Sequence, residues 1–253
     1  MPVLPAPEPG LRVATYNIHG CVGADGRRDV GRVAEVLHEL DADIVGLQEA
    51  DSRPSRCAMP QASELARRLG MELIEGPLLA EGDGHFGNAL LSRLPMRAER
   101  RERLPYRSGE PRGFIHAVVR GPAGEDWHVL VTHLSLGPVS RRLQLAAIAA
   151  ELAGSMPPPA LLLADLNEWF GPARGLARLR RAADLLPSPP TFPSRRPLLR
   201  LDRIALAGAR CRRAAWAHAS PLGRLASDHL PLLAEVVAVA GDSTPVGVSA
   251  LEA

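Results

Sequence analysis

The sequence predicts an α/β (α+β) domain organised on buried sheet, and three observations carry that prediction. The first is Leu161–Ala164, a short apolar run that ends in Asp165, Leu166, Asn167 and Glu168. Bounded by Pro157–Pro159 and by Gly171, it fits a strand covered on both faces better than a surface helix. The second is a strand, helix, strand order between Leu11 and Leu47. The third is a series of short apolar segments from Met71 to Thr132, separated by Gly and Pro as in an antiparallel meander.

Taken in order, Leu11–Ile18 alternates as a strand, and Asp29 is placed to cap a helix with Val30, Val33, Ala34 and Leu37 on one face. Ile44–Leu47 is a second apolar strand that runs into Gln48 and Glu49. A helix follows over Gln61–Leu69, with Leu65 and Leu69 spaced for a core face, and then strands at Met71–Glu75, Ala89–Ser92, Phe114–Val119 and Trp127–Thr132. Ser140 is predicted to cap a helix through Leu152 whose positions Leu143, Ala147 and Ala150 lie about one turn apart. After the strand Ala160–Asp165 come an Arg-rich helical stretch, Gly171–Leu186, a proline-rich loop, Pro187–Pro197, and strands at Leu201–Leu206 and Leu232–Val239. Strand, acid and helix recur in both halves without a sequence repeat. Residues 1–10 and 241–253 are rich in Pro, Gly, Ser and Thr and read as flexible tails around a single domain, 11–240.

Composition excludes several chemistries. All 30 basic residues are Arg, so a Walker A loop, a Schiff-base lysine and a pyridoxal lysine are ruled out. A net charge of +2 does not establish nucleic-acid binding, and 4% aromatic residues leave few platforms for stacking bases. Cys21, Cys57 and Cys211 are far apart and form no Cys-x-x-Cys pair, which points to a reducing compartment and no structural zinc. The first ten residues lack the basic and apolar regions of a signal peptide, and no segment has the roughly 18 to 20 apolar residues of a membrane span. The expectation is a soluble cytoplasmic protein, without membrane insertion and acting as a monomer.

The polar residues at the strand ends carry the chemistry. The candidate strands end in or beside Asn17, Glu49, Asn88, His133, Asp165 with Asn167, Asp202, and Asp228 with His229. A lone Asn after a strand is ordinarily a turn residue and a lone acid a cap or solvated charge, but seven such positions at one end of a sheet form a constellation. Carboxylates and amide oxygens without clustered Cys or His suit a hard cation such as Mg²⁺, with Mn²⁺ as a substitute. The chemistry read from them is metal-assisted phosphoester hydrolysis, with Glu49 as metal ligand and Asp165 orienting or deprotonating the attacking water. His133 and His229 would donate to non-bridging oxygens, and Asp202 would fix the tautomer of His229.

These residues sit in words that resemble the endonuclease/exonuclease/phosphatase superfamily, the deoxyribonuclease I-like fold: TYNIHG, LQE, GNALLSR, VTHLS, ADLNE, LDRI and SDHLPL, in that order. The resemblance implies a four-layer sandwich of two packed mixed β-sheets flanked by helices, with a divalent metal at one edge. It implies Glu49 as main metal ligand, Asn17 near the metal or the phosphate, and Asp228 beside the metal. It implies Asp165 and Asn167 as the pair that orients water and holds phosphate, His229 with Asp202 as a phosphate-contacting dyad, and His133 as the second histidine. Asn88, Arg112 and Trp169 are further candidates for substrate or phosphate binding. His19 stands where the apurinic-site repair branch has an acid, which argues against a second metal position and abasic-DNA specificity. Trp169 and the run TFPSRRPLLRLDRI resemble a bacterial cytosolic branch suspected of acting on phospholipids or other small phosphodiesters, although Trp169 also reads as a packing residue.

The seven arginines of Arg93–Arg112, interleaved with Glu99, Glu102 and Glu110, read as a phosphate-guiding rim or as a solvated strand face. His38, His85, His116, His128 and His218 have no partner legible in the sequence. Three functions follow: a Mg²⁺-dependent phosphodiesterase on a lipid headgroup or small molecule, a DNA or RNA endonuclease of the same fold, and a catalytically silent phosphate-binding module. A serine hydrolase built on Ser227, Asp202 and His229 fits poorly, since no Gly-x-Ser-x-Gly turn exposes a nucleophile.

Overall fold

The computed structural model describes residues 9–55, 57, 59–81, 84–169 and 174–239. Outside them lie residues 1–8 of the expected N-terminal tail, the whole expected tail 241–253, the start of the Arg-rich helical stretch at 170–173, and the side chain of His85. The elements run β1 (Leu11–Asn17), α1 (Val30–Leu40), β2 (Ile44–Asp51), α2 (Gln61–Leu69), β3 (Glu72–Glu81), β4 (Gly84–Ser92), β5 (Met96–Arg103), β6 (Gly113–Arg120) and β7 (Asp126–His133). They continue as α3 (Pro138–Gly154), β8 (Ala160–Asp165), α4 (Arg174–Ala182), β9 (Asp184–Leu185), β10 (Asp202–Ala207), β11 (Ala209–Cys211), β12 (Trp216–Ala217), α5 (Gly223–Ala226) and β13 (Leu232–Ala238).

Two mixed sheets result. One has seven strands in the order β11-β13-β1-β2-β4-β3, with β12 also on β13; the other has six, β5-β6-β7-β8-β10-β9. Each contains one parallel pair joined by a helix, β1–α1–β2 and β7–α3–β8, which is the doubling hinted at in the sequence. Leu11, Val13, Leu90, Val129, Leu161, Leu163 and Val236 fill the space between the sheets. Ala14, Leu47 and Leu91 pack under α1 and α2 on one outer face, and Leu130, Leu162 and Ala205 under α3 and α4 on the other. The chain is therefore a four-layer sandwich, helix, sheet, sheet, helix. β8 is buried at all six positions, alternating Leu161 and Leu163 inward with Leu162 and Ala164 outward, as expected for a strand covered on both faces. The sheets approach so closely at Gly46 that a Cβ there would lie 2.8 Å from Leu163 Cβ, which requires glycine in β2.

Several local expectations are corrected. α3 starts at Pro138 behind Gly137, and Ser140 lies inside it, its Oγ accepting from Arg107 N at 3.1 Å. Leu143 is 40% exposed; the buried stripe is Arg141, Gln144, Leu145, Ile148, Ala149 and Leu152. Polar residues occupy two core-facing positions, because Gln144 Oε1 accepts from Ser135 N and Arg141 donates to Leu136 O. An apolar count therefore misplaces the face by part of a turn. The arginine run forms β5, an edge strand with a solvated charged face, where Arg97 pairs with Glu99 and Arg100 with Glu102 and Glu151. Charge on an edge strand blocks pairing with another chain.

The histidines without a legible partner include a pair, His116 buried and His128 half-buried. His116 Nε2 lies 2.9 Å from His128 Nδ1 across β6 and β7, and His218 meets Glu39 at 2.6 Å. Burial, then the neighbouring His128, Arg100 and Arg97, pushes the His116 imidazole down to about 4, and burial lowers His128 as well. Between the ordinary histidine pKa and that lowered value, the unfolded chain takes up a proton that the folded chain refuses, so stability falls as pH drops from about 6.5 towards 4. A loss on the order of 2–3 kcal/mol is expected from His116. Urea midpoints at pH 7.5 and 4.5, for wild type and for His116→Gln, check it: the variant should lose less over the interval.

Candidate active site

The two inner faces deliver the polar residues to one edge. Side chains alternate along a strand, so the inward row of β1 continues from Leu11 and Val13 to Asn17, that of β7 from Val129 and Val131 to His133, and that of β8 from Leu161 and Leu163 to Asp165. Asp202 begins the inward row of β10 and pairs in register with Asp165, so an antiparallel strand start lies beside a strand end. Asn88 belongs to the inward row of β4, in mid-strand rather than at an end. Glu49 breaks the rule. Gly46 and Gln48 hold the inward parity of β2, and Glu49 reaches the site only because the register shifts between Leu47 and Ala50 with its backbone at φ 59°. Such bulges re-aim a side chain at the cost of a left-handed residue.

Asn17 joins the acids. Its Nδ2 donates to Glu49 Oε1 at 2.9 Å and to Asp165 Oδ2 at 3.0 Å, while its Oδ1 accepts from His19 N at 3.0 Å. Asn167, at φ 49°, folds back so that its N–H donates to Asp165 Oδ1 at 2.9 Å. Both Asp165 oxygens are thus fixed.

The two histidines differ. His229 Nδ1 lies 2.9 Å from Asp202 Oδ2, its Nε2 3.8 Å from Asp165 Oδ2, and Phe192 packs against its ring. Burial alone would lower the imidazole, but Asp202, Asp165 and Asp228 outweigh it and hold the pKa at about 10, so the ring is a cation with a proton on each nitrogen, Nδ1 donating to Asp202. His133 is buried and pushed down to about 3 by that burial, then by Arg112, so it is neutral. The Arg112 guanidinium lies 3.0 Å from His133 Nδ1 and can only donate, so Nδ1 accepts. His133 Nε2 lies 2.9 Å from the Asn167 amide, which also donates to Leu134 O, and 3.4 Å from Asp165 Oδ2. Arg112 also pairs with Glu110, which places it behind His133 rather than on an open rim.

The remaining candidates lie around this centre. Asn88 Nδ2 donates to Gly113 O at 3.1 Å, and its buried Oδ1 has no partner among the described residues. Asp228 is partly exposed, 3.7 Å from His19 Nδ1. Trp169, two residues after Asn167, is 46% exposed.

The donor set fits a divalent cation. Burial raises the Glu49 carboxyl, the Asn17 and His19 contacts oppose it, and Asp228 and Asp165 raise it further. Crowded carboxylates of this kind lack a positive charge that a hard cation would supply. Asp165, Asp202 and His229 also lie close enough to share an ion. That triad is the poorer cation site, because Asp202 Oδ2 already accepts from Thr191 Oγ1 at 2.5 Å and from the His229 cation.

Sequence reasoning missed Thr191 and Phe192, and weighed Ser227 only as a nucleophile. Ser227 Oγ donates to Asn17 O at 2.7 Å and so ties the 227–229 turn to the end of β1. A buried Thr in a proline-rich loop carries no signal in sequence of an Asp eleven residues on.

A sequence model of the Endonuclease/Exonuclease/phosphatase family matches residues 14–229. The "Uncharacterized protein YbhP" of Escherichia coli (strain K12) is 33% identical over 247 residues, covering 89% of this chain and 96% of that protein. Among solved structures, an endonuclease/exonuclease/phosphatase from Beutenbergia cavernae superposes with a TM-score of 0.70 at 23% identity, covering 91% of this chain and 72% of that one. The mannosyl-6-phosphatase Bt3783 of Bacteroides thetaiotaomicron gives 0.69 at 18% identity, covering 90% and 99%.

Proposed function

The chain belongs to the endonuclease/exonuclease/phosphatase family, whose members hydrolyse phosphoesters, and from that premise we propose that it is a divalent-metal-dependent phosphodiesterase acting on a small or lipid phosphodiester. The observation that carries this reading is the convergence on Asp165. Asn17 and the Asn167 N–H fix its two oxygens, and the His229 cation stands 3.8 Å from one of them. An anion bound at this edge meets a fixed imidazolium on one side and an acid able to orient water on the other.

Mg²⁺, or Mn²⁺ in its place, held by Glu49 with Asp228 and Asn17 nearby, would polarise a phosphoryl oxygen and offset the carboxylate charge. Asp165 positions the attacking water and accepts its proton, its carboxylate held by the two asparagines. His229 donates to a non-bridging oxygen as negative charge grows there, and Asp202 keeps the ring charged and oriented. His133, neutral and held by Arg112, flanks that acid from the other side, 3.4 Å from its Oδ2, and Asn167 and Asn88 contribute amide groups to the phosphate. The working assignment is a monomeric, cytoplasmic, single-domain enzyme over 11–240. Among the described residues no helix is long and apolar enough to cross a membrane.

Hydrolysis of bis-p-nitrophenyl phosphate with Mg²⁺ or Mn²⁺, and its loss in EDTA, tests the reaction; no turnover with either ion would sink it. Plasmid DNA and phospholipid vesicles are assayed in parallel, and plasmid nicking at catalytic enzyme levels would replace the small-diester reading with an endonuclease. Glu49→Gln removes the charge of the proposed main ligand and is expected to raise the Mg²⁺ concentration for half-maximal activity by about tenfold or more. Titrating Mg²⁺ at fixed substrate checks this.

A further inference from the structure

Beside the catalytic edge lies a cleft of about 320 Å³ to which the reaction as described assigns nothing. Three arginines line it, Arg180 from α4, Arg200 from the loop before β10, and Arg203 from β10, together with Trp169, Leu198 and Glu168. The same three arginines line a second, adjoining cleft of about 430 Å³, so they form one cationic cluster between two open spaces. The cleft is tied to the catalytic residues by chain continuity: Glu168 and Trp169 follow Asn167, and Arg203 follows Asp202. Because Asp202 faces between the sheets, Arg203 leaves the opposite face of β10.

Positive charge outweighs negative in the cleft, with three guanidiniums to one lining carboxylate. Among the described residues none of the three arginines forms an ion pair; Arg200 Nε donates to Ser188 O and Arg203 to the backbone of Asp202. Glu168 is the one carboxylate in the cleft lining, and it pairs with buried Arg141 at 3.3 Å. Burial pushes the Arg203 guanidinium down to about 10, and Arg200 and Arg180 push the same way against Asp202 and Glu168. A guanidinium stays charged under such pressure, so the group remains a cation in need of an anion. Apolar surface stands beside it: Trp169 is 46% and Leu198 76% exposed, both large side chains left open at the mouth.

Resting on the phosphodiesterase reading, we propose that this cleft is a substrate subsite for a second anionic group, a phosphate or carboxylate carried on the organic part of the diester. Arg180, Arg200 and Arg203 hold the second anion, with guanidinium forks suited to its oxygens. Trp169 and Leu198 cover the apolar or ring portion that links it to the scissile phosphate. The substrate class is then a phosphodiester with at least two anionic centres, in preference to a neutral-headed diester.

The test has a binding arm and a kinetic arm, with Arg180→Gln/Arg200→Gln as the variant, since neither residue touches the reacting phosphate. In EDTA, inorganic pyrophosphate is titrated while tryptophan emission is followed, with Trp169→Phe subtracting Trp127 and Trp216. The wild type is expected to respond through Trp169, and the variant to bind at least about tenfold more weakly. In the kinetic arm, the p-nitrophenyl ester of thymidine 5'-phosphate is compared with the same ester bearing a 3'-phosphate, and a glycerol-based p-nitrophenyl diester with its analogue carrying a second terminal phosphate. The wild type should favour the second phosphate in at least one pair by about tenfold or more through KM. The variant should lose that preference while turning over bis-p-nitrophenyl phosphate as before. Which pair shows the preference distinguishes a nucleoside from a glycerol carrier. Equal turnover within both pairs, a preference kept by the variant, or unchanged pyrophosphate binding would overturn the subsite. Absence of all diesterase activity would instead remove the underlying reaction and leave the fluorescence titration to decide the anion site.

Discussion

Asp165→Ala is expected to lower kcat for bis-p-nitrophenyl phosphate by about 10³-fold, with a smaller change in KM, because in the proposed reaction the acid acts on the water rather than on the bound diester. The structure gives the reason for so large an effect from one side chain. Asp165 is the group on which Asn17, Asn167, His133 and His229 all converge, whereas Glu49 shares the Asn17 donor and Asp202 the His229 ring. The alanine leaves the Asn17 and Asn167 donors unpaired, at about 1–3 kcal/mol each where water does not replace the carboxylate. Asp165→Asn therefore belongs beside it: it preserves volume and most contacts but cannot accept a proton. Thermal melts and far-ultraviolet circular dichroism establish that both variants fold. A folded variant of either kind retaining more than about a tenth of wild-type kcat would show that the base lies elsewhere.

The sequence made the centre legible because inward rows of strands end in polar residues, and such an interruption survives without knowledge of pairing. Asn17, His133 and Asp165 are cases of this kind. Glu49 was legible as a residue but not as a geometry: by alternation it belongs on the outer face of β2, and only a bulge at φ 59° turns it to the site. Register shifts depend on the partner strand, here β4, which one segment of sequence does not encode. Arg112 illustrates a second limit. A run of arginines reads as one rim, yet most of the run faces solvent on β5 while Arg112 alone among its described members is buried against His133. The His116–His128 pair and Thr191 show a third. Contacts between polar residues on different elements leave no periodicity, so they emerge only when β6 meets β7, or when the 187–201 loop folds over β10.

For the dyad opposite Asp165, Asp202→Asn is expected to lower kcat about 10²-fold, His229→Ala about 10²- to 10³-fold, and the double variant no further than His229→Ala alone. Asp202 reaches the site through one contact, Oδ2 to His229 Nδ1 at 2.9 Å, so its influence passes through the imidazole. Burial disfavours the charged ring, and Asp202 is the largest influence working against that burial. With the carboxylate gone, the ring tends to the neutral form, and the charge that meets the phosphate oxygen is lost even where the ring keeps its place. A ring already removed has nothing for Asp202 to tune, hence the non-additivity. Thr191→Val supplies the graded case: it deletes the 2.5 Å donor to Asp202 Oδ2 but leaves the carboxylate in contact with His229, so a several-fold loss is expected where Asp202→Asn gives a hundredfold. Steady-state kinetics on the four variants, each shown to be folded, decides the matter. Multiplying losses in the double variant would mean that Asp202 acts on substrate or metal by a route of its own, which would return it to the cluster it forms with Asp165 and His229 as a second place for a cation.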